Sequence, residues 1–250
     1  DEYRRINEET YAMLPDYFNE LPKAKVVVKR VPIFSEKSAA GGYYQGSSLD
    51  GSRPAAWYAN LYDINATQTF KMPALSFHEA VPGHHLQIAL NQENPNQTLW
   101  NKFGYRTSAF SEGWALYAER LAVEAGLLRD PYEQIGSLQS ELFRAARLVV
   151  DTGLHSKKWT REEAIIYMMD NAGEVRSESE SEIERYIVWP GQATSYMIGR
   201  IKIMELRERA KAELGNRFNI KDFHSVVLMN GILPLTVLEA LVDQYIKENS

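Results

Sequence analysis

The feature that most constrains this chain is the run His78-Glu79-Ala80-Val81-Pro82-Gly83-His84-His85. Three of the five histidines lie in it, and a glutamate directly follows the first. A His-Glu pair with another histidine soon after is the pattern of a hydrolytic zinc site. Two imidazoles hold the ion, and the carboxylate takes a proton from water. The usual spacing separates the histidines by four residues and puts both on one helix face. Here His84 comes six residues after His78. In an unbroken helix, six steps of about 100° leave it roughly 120° off that face. His85, at seven steps, returns to the face but stands about 10.5 Å along the axis, awkward for sharing one ion. Pro82 disfavours helical geometry at Val81, and Gly83 tolerates dihedrals that other residues avoid. These facts are reconciled by a helix over about 74–91 with a bulge at Pro82-Gly83. The bulge breaks the backbone ladder between Glu79 and His84 and turns His84 into the second ligand. His85 is then a supporting residue behind the ligands.

The chain has no cysteine, so no disulfide framework and no thiolate site is possible, and the remaining ligands must be His, Asp or Glu. Two neutral imidazoles leave a dication's charge uncompensated, so a carboxylate is needed. A helix is predicted over about 108–125, with Gly126 as its stop. Glu112 lies on it beside Gly113 and Trp114, outside any charged run, and is the natural third ligand. Glu119, seven residues on, faces nearly the same way two turns later. It could pair with a ligand histidine or with an arginine behind the ligands.

A further helix is predicted over about 132–151. Its polar members Arg144, Arg147, Asp151 and His155 recur at three- and four-residue steps among Leu142, Phe143, Leu148, Val149 and Val150. Charges on a largely apolar helix must be paired or must serve a site. Asp151 is a candidate acceptor for a ligand histidine. His155 is a candidate catalytic donor to a tetrahedral intermediate if the helix continues past Gly153. The alternative is a buried ion-pair network. Tyr196, near the start of a long helix ending at about Leu214, is either an oxyanion donor or ordinary core. Arg147, Arg185 and Arg200 are candidates for holding a substrate carboxylate.

Elsewhere the pattern predicts a helix over 1–20 and strands over 25–31, 43–45 and 55–61. A small sheet with a free edge beside the histidine helix could bind an extended peptide by strand addition, with Tyr58 as a contact, or could simply be core. Thr160-Arg161-Glu162-Glu163 is a capping box. Helices are expected over 177–184, 221–229 and 236–247, and His224 reads as structural. The expected fold class is mainly α with a small β-sheet (α+β).

The phrase His78 to Gln87, His-Glu-x-x-Pro-Gly-His-His-x-Gln, resembles the bacterial family known as domain of unknown function 885. The likeness continues through Ser111 to Glu119, Asp151 to His155 and Pro190 to Ala193, and covers nearly the whole chain. Members of that family are regarded as relatives of zincin-type (gluzincin-type) metallopeptidases, with a helical His-Glu motif and a downstream glutamate ligand. The motif also resembles that of the dipeptidyl peptidase III family with one residue more. Full-length members are longer, so the resemblance implies that residues 1–250 are a C-terminal, single-domain catalytic portion.

The function expected is peptide-bond hydrolysis by Zn2+ held by His78, His84 and Glu112, with Glu79 as general base and Tyr196 or His155 steadying the oxyanion. Short peptides or carboxypeptidase-like action would follow if an arginine holds the substrate carboxylate. The alternatives are a metal-dependent hydrolase of another amide or ester, and a non-catalytic binding protein with a decayed site. The net charge of −5 argues against nucleic acid as the main partner. No apolar run reaches membrane-spanning length. No signal peptide is present, and the expected location is periplasmic or lipoprotein-anchored, with the export signal outside this chain.

Overall fold

The computed structural model describes residues 1–39, 41–62 and 68–250, with Ser38 described by its backbone alone. It is mainly α-helical with one small three-stranded sheet. Helix α1 (Glu2–Tyr17) leads into β1 (Val26–Arg30), β2 (Gly42–Gln45) and β3 (Ala55–Ala59). The β-branched run of β1 pairs parallel with β3, and β2 pairs antiparallel with it, so β3 is central. Trp57 of β3 is fully buried and meets Tyr3 of α1 edge-on at 4.7 Å, which seats α1 on the sheet.

The single helix predicted over the histidine motif is two helices, α2 (Met72–Glu79) and α3 (His84–Glu93). After them comes a π-helical turn (Trp100–Gly104), then α4 (Ser108–Glu124) and α5 (Pro131–Lys157). The start of α5 is well specified. Pro131 occupies its first turn, where no donor is needed, and the Asp130 side chain accepts from the Glu133 N–H. The helix runs past Gly153, beyond the predicted stop. Trp159 folds back onto that glycine and its N–H donates to the Gly153 carbonyl at 2.9 Å. Lys158, at φ 60°, makes the reversal.

Helices α6 (Arg161–Ala172) and α7 (Arg176–Val188) pack on α5. The predicted capping box at Thr160 and Glu163 is present with both of its reciprocal bonds. Helix α8 (Gln192–Leu214) follows the turn at Pro190-Gly191, and α9 (Ile220–Leu228) and α10 (Leu235–Asn249) complete the chain. His224 of α9 is structural: Nδ1–H donates to the Tyr17 carbonyl, and Nε2 accepts from the Tyr117 hydroxyl.

Trp114, Tyr117 and Leu121 of α4 lie in the largest apolar cluster, shared with α1, α3, α8, α9 and α10. Ala122, on the other side of α4, belongs to the cluster under the sheet. The closest helix crossing is α4 against α8. A Cβ on Gly199 would stand 1.8 Å from the Ala109 carbonyl oxygen, and one on Gly113 would stand 2.4 Å from the Gly199 Cα. Two bare backbones therefore touch. This contact brings Glu112, next to Gly113, and Tyr196, one turn before Gly199, to the same place.

Gly199→Ala should therefore force α4 and α8 apart. We expect a loss of about 1–3 kcal/mol in equilibrium denaturation. Unchanged stability would mean that the crossing is softer than the backbone contact implies.

Candidate metal centre

Helix α2 ends where its ladder stops. The Ala80 N–H still donates to Ser76, but the next bond is from the His85 N–H back to the Ala80 carbonyl. Between them the chain turns through Val81, Pro82 and Gly83, with a cis peptide bond before Pro82. Gly83 is needed for room. A Cβ there would stand 2.0 Å from the His78 carbonyl oxygen and 2.4 Å from that of Phe77. Its φ of −79° is not left-handed, so close approach and not positive φ explains the glycine. The turn is tied down from α4, where the buried Trp114 donates its indole N–H to the Pro82 carbonyl at 2.9 Å.

Restarting the helix at His84 brings its ring edge-on to that of His78, with centroids 4.7 Å apart. Glu112 of α4 closes the group. One of its oxygens, Oε2, is 3.3 Å from His78 Nε2 and 3.2 Å from His84 Nε2. The three ligand atoms all lie within 4.8 Å of one another. Two atoms each about 2.1 Å from one ion at a tetrahedral angle stand about 3.4 Å apart. The donor set and spacing therefore fit a zinc-sized cation.

Behind His78, Nδ1–H donates to Glu119 Oε1 at 2.7 Å. The other Glu119 oxygen accepts from the Ser140 hydroxyl of α5 at 2.9 Å. These bonds fix the imidazole tautomer and leave Nε2 facing Glu112, as a ligand requires. Burial pushes the His78 imidazole down, but Glu112 and Glu119 outweigh it and hold it at about 9. Burial likewise raises the Glu112 and Glu119 carboxyls. The two histidines outweigh it at Glu112, and His78, Arg144 and Ser140 do so at Glu119, so both are held down. The pocket is thus built to hold positive charge. Glu79 is 7% exposed, and its Oε2 has no hydrogen-bond partner among the described residues. A buried carboxylate oxygen of this kind suits a site that receives a polar group from outside the chain.

Tyr196 stacks on the His78 ring, with centroids 5.9 Å apart and planes 18° apart. Its hydroxyl accepts from Gln192 Nε2 at 3.3 Å, leaving its own proton to donate. Burial foremost, then Glu112, raises its pKa, so the phenol stays protonated at neutral pH. The Arg147 guanidinium lies over the Tyr196 ring, 4.1 Å from its centroid, and also over the rings of Tyr186 at 5.2 Å and Phe143 at 5.4 Å.

Other candidates lie elsewhere. Asp151 does not accept from a ligand histidine; Glu119 takes that place. Both Asp151 oxygens accept from the Gly191 N–H at 3.1 Å and hold the turn before α8. His155 donates Nε2–H to the Tyr186 carbonyl at 2.9 Å, on the exposed end of α5, and among the described residues makes no contact with the histidine pair. His85 is fully buried and faces the sheet. Its Nε2–H donates to the Ala24 carbonyl and its Nδ1 accepts from the Tyr44 hydroxyl, while burial lowers it to about 4. Tyr58 sits on the central strand, paired on both sides, and its ring stacks on Tyr43 at 4.9 Å. It is therefore not at a free edge. Arg200 pairs with Glu141 at 2.7 Å, beside a cavity of about 150 Å³ that Glu119 also lines. Arg185 pairs with Glu182 at 2.5 Å.

Sequence reasoning missed Ser140, Gln192 and Trp114. Ser140 extends the polar stripe of α5 one turn toward its start, and Gln192 lies inside the Pro-Gly-Gln-Ala phrase, so both had a signal. The Trp114 bond to Pro82 had none.

The family model for bacterial proteins of unknown function (DUF885) matches residues 1–242. The chain belongs to that family. Within reach of it is a solved structure from Colwellia psychrerythraea described as a putative lipoprotein. It has 44% identity and a TM-score of 0.96 over 99% of this chain and 42% of its own. Another, from Shewanella oneidensis, is described as a putative lipoprotein of unknown function. It has 26% identity and a TM-score of 0.82 over 96% of this chain and 44% of its own. The chain thus spans less than half the length of these structures. No curated protein matches it. Among the described residues, His78, His84 and Glu112 form a group able to hold a metal ion. Among the described residues no helix is long and apolar enough to cross a membrane.

If the His78–His84–Glu112 group holds a metal ion and Glu119 orients His78, Glu119→Gln should weaken the binding of added zinc by about 10- to 100-fold in chelator competition without unfolding the chain. An unchanged affinity would remove Glu119 from the site.

Proposed function

We propose that the chain hydrolyses peptide bonds with a zinc ion held by His78, His84 and Glu112. One observation carries the reading: potential ligand atoms of His78, His84 and Glu112 converge where the Glu79 carboxylate also acts on His78, and the buried Glu79 Oε2 has no hydrogen-bond partner among the described residues. On this reading the chain is a zincin-like metallopeptidase. The bound ion would supply Lewis acidity, making water a nucleophile at neutral pH and polarising the substrate carbonyl.

The side chains do the rest. Glu79 follows the first ligand and takes a proton from the attacking water. It then passes that proton to the leaving amine, so the proton is conserved through the cycle. The Tyr196 hydroxyl donates to the carbonyl oxygen as negative charge builds there. Glu119 and Ser140 keep the His78 ring from rotating. The relatives described as putative lipoproteins support a location in the bacterial cell envelope.

Glu79→Gln tests the assignment. The variant should keep zinc at the level of the parent while peptide turnover falls by about 100- to 10,000-fold. Loss of zinc together with activity would mean that Glu79 is a ligand. A parent protein that carries zinc and cleaves esters or other amides but no peptide would refute the substrate class.

A further inference from the structure

Arg147 is 2% exposed, yet among the described residues it has no carboxylate within ion-pair distance. Its one hydrogen bond is long, from Nη2 to Gln192 Oε1 at 3.4 Å, and its Nε has no partner. The Glu182 carboxylate acts on Arg147 electrostatically, but its bonds go to Arg185 at 2.5 Å and to the Tyr186 hydroxyl at 2.6 Å. Arg144, one turn earlier, has the Glu119 carboxylate nearby electrostatically but none at ion-pair distance among the described residues: Nη1 donates to Ser140 at 3.0 Å, and the buried Nε has no partner there. Both guanidinium groups lie over the Tyr196 ring, at 4.1 and 5.9 Å from its centroid. That ring's other neighbour is the His78 imidazole.

A buried guanidinium with no carboxylate at ion-pair distance is costly, and its planar fork matches a carboxylate two bonds at a time. The Tyr196 ring is in contact with both this fork and the His78 imidazole. An extended peptide advances about 3.5 Å per residue, so a carboxylate held there lies one or two residues beyond the scissile bond. We propose that Arg147, assisted by Arg144, binds the free C-terminal carboxylate of a short peptide, making the site one that trims one or two residues from that end. The substrate class deepens the peptidase reading and rests on it; the carboxylate site itself does not. Arg185 and Arg200 are excluded because each is already paired.

The test uses zinc-loaded Glu79→Gln protein and calorimetric binding of three probes. These are an N-acetyl dipeptide as the free acid, the same dipeptide as its C-terminal amide, and an amide-capped dipeptide carrying a glutamate side chain. The free acid should bind at least about tenfold more tightly than either amide, the loss expected when a buried charge-assisted pair goes unmade. Arg147→Met should abolish that preference with zinc content unchanged, and Arg147→Lys should restore part of it. If Arg147→Met does not fold, the acid-to-amide ratio in Arg147→Lys and Arg144→Met carries the test, and both ratios should fall. Equal binding of acid and amide, a preference that survives these substitutions, or equal binding of the side-chain carboxylate would overturn the proposal. Turnover by the parent separates the two readings. Equal cleavage of acid and amide peptides would sink the trimming role and leave the peptidase. An Arg147-dependent acid preference without any cleavage would sink the peptidase and support the carboxylate site.

Discussion

A helix cannot bring residues six apart to one point, so everything at this site depends on how α2 is stopped and α3 restarted. The stop is steric and local. Gly83 sits against the carbonyls of Phe77 and His78, where a side chain of any size would collide. It is also held from outside. Trp114 grips the Pro82 carbonyl from α4, and His85 ties the first turn of α3 to the sheet through Ala24 and Tyr44. The paired histidines thus do different work. His84 faces Glu112 and His78, and its neighbour, about 100° around the helix, is a strut.

Charge explains why so many acids tolerate this interior. Glu79, Glu112 and Glu119 gather around two imidazoles, and carboxylates this buried are unfavourable together unless positive charge accompanies them. His78 shows the demand, since the glutamates hold its proton up to about 9 despite burial. A divalent cation between Nε2, Nε2 and a carboxylate oxygen would answer the same demand. The two arginines beyond Tyr196 extend the field outward, where they would favour an anionic substrate group over a neutral one.

Much of this could be read from the chain. The histidine spacing demanded a helix break at Pro82-Gly83, and the need for a carboxylate pointed to Glu112, which the fold does bring to His78 and His84. The capping box, the strands and most helix limits followed from local pattern. What could not be read was reach. The polar stripe of α5 from Ser140 to His155 spans about 22 Å at 1.5 Å per residue. Only its early part can lie beside the histidines. Periodicity shows which face is polar but not where along it the neighbour crosses, so Asp151 and His155 were expected too far in and Ser140 was passed over. The choice of Glu119's partner likewise depended on how α4 crosses α2, and Tyr58's place in the sheet depended on strand order.

The most direct measurement is an anomalous difference map from crystals grown with zinc, with data collected on both sides of the zinc absorption edge. The account predicts one strong peak bonded to Nε2 of His78, Nε2 of His84 and the Glu112 carboxylate, at about 2.0–2.2 Å from each. No peak there, or a peak that takes His85 in place of His84 or leaves Glu112 out, would contradict it.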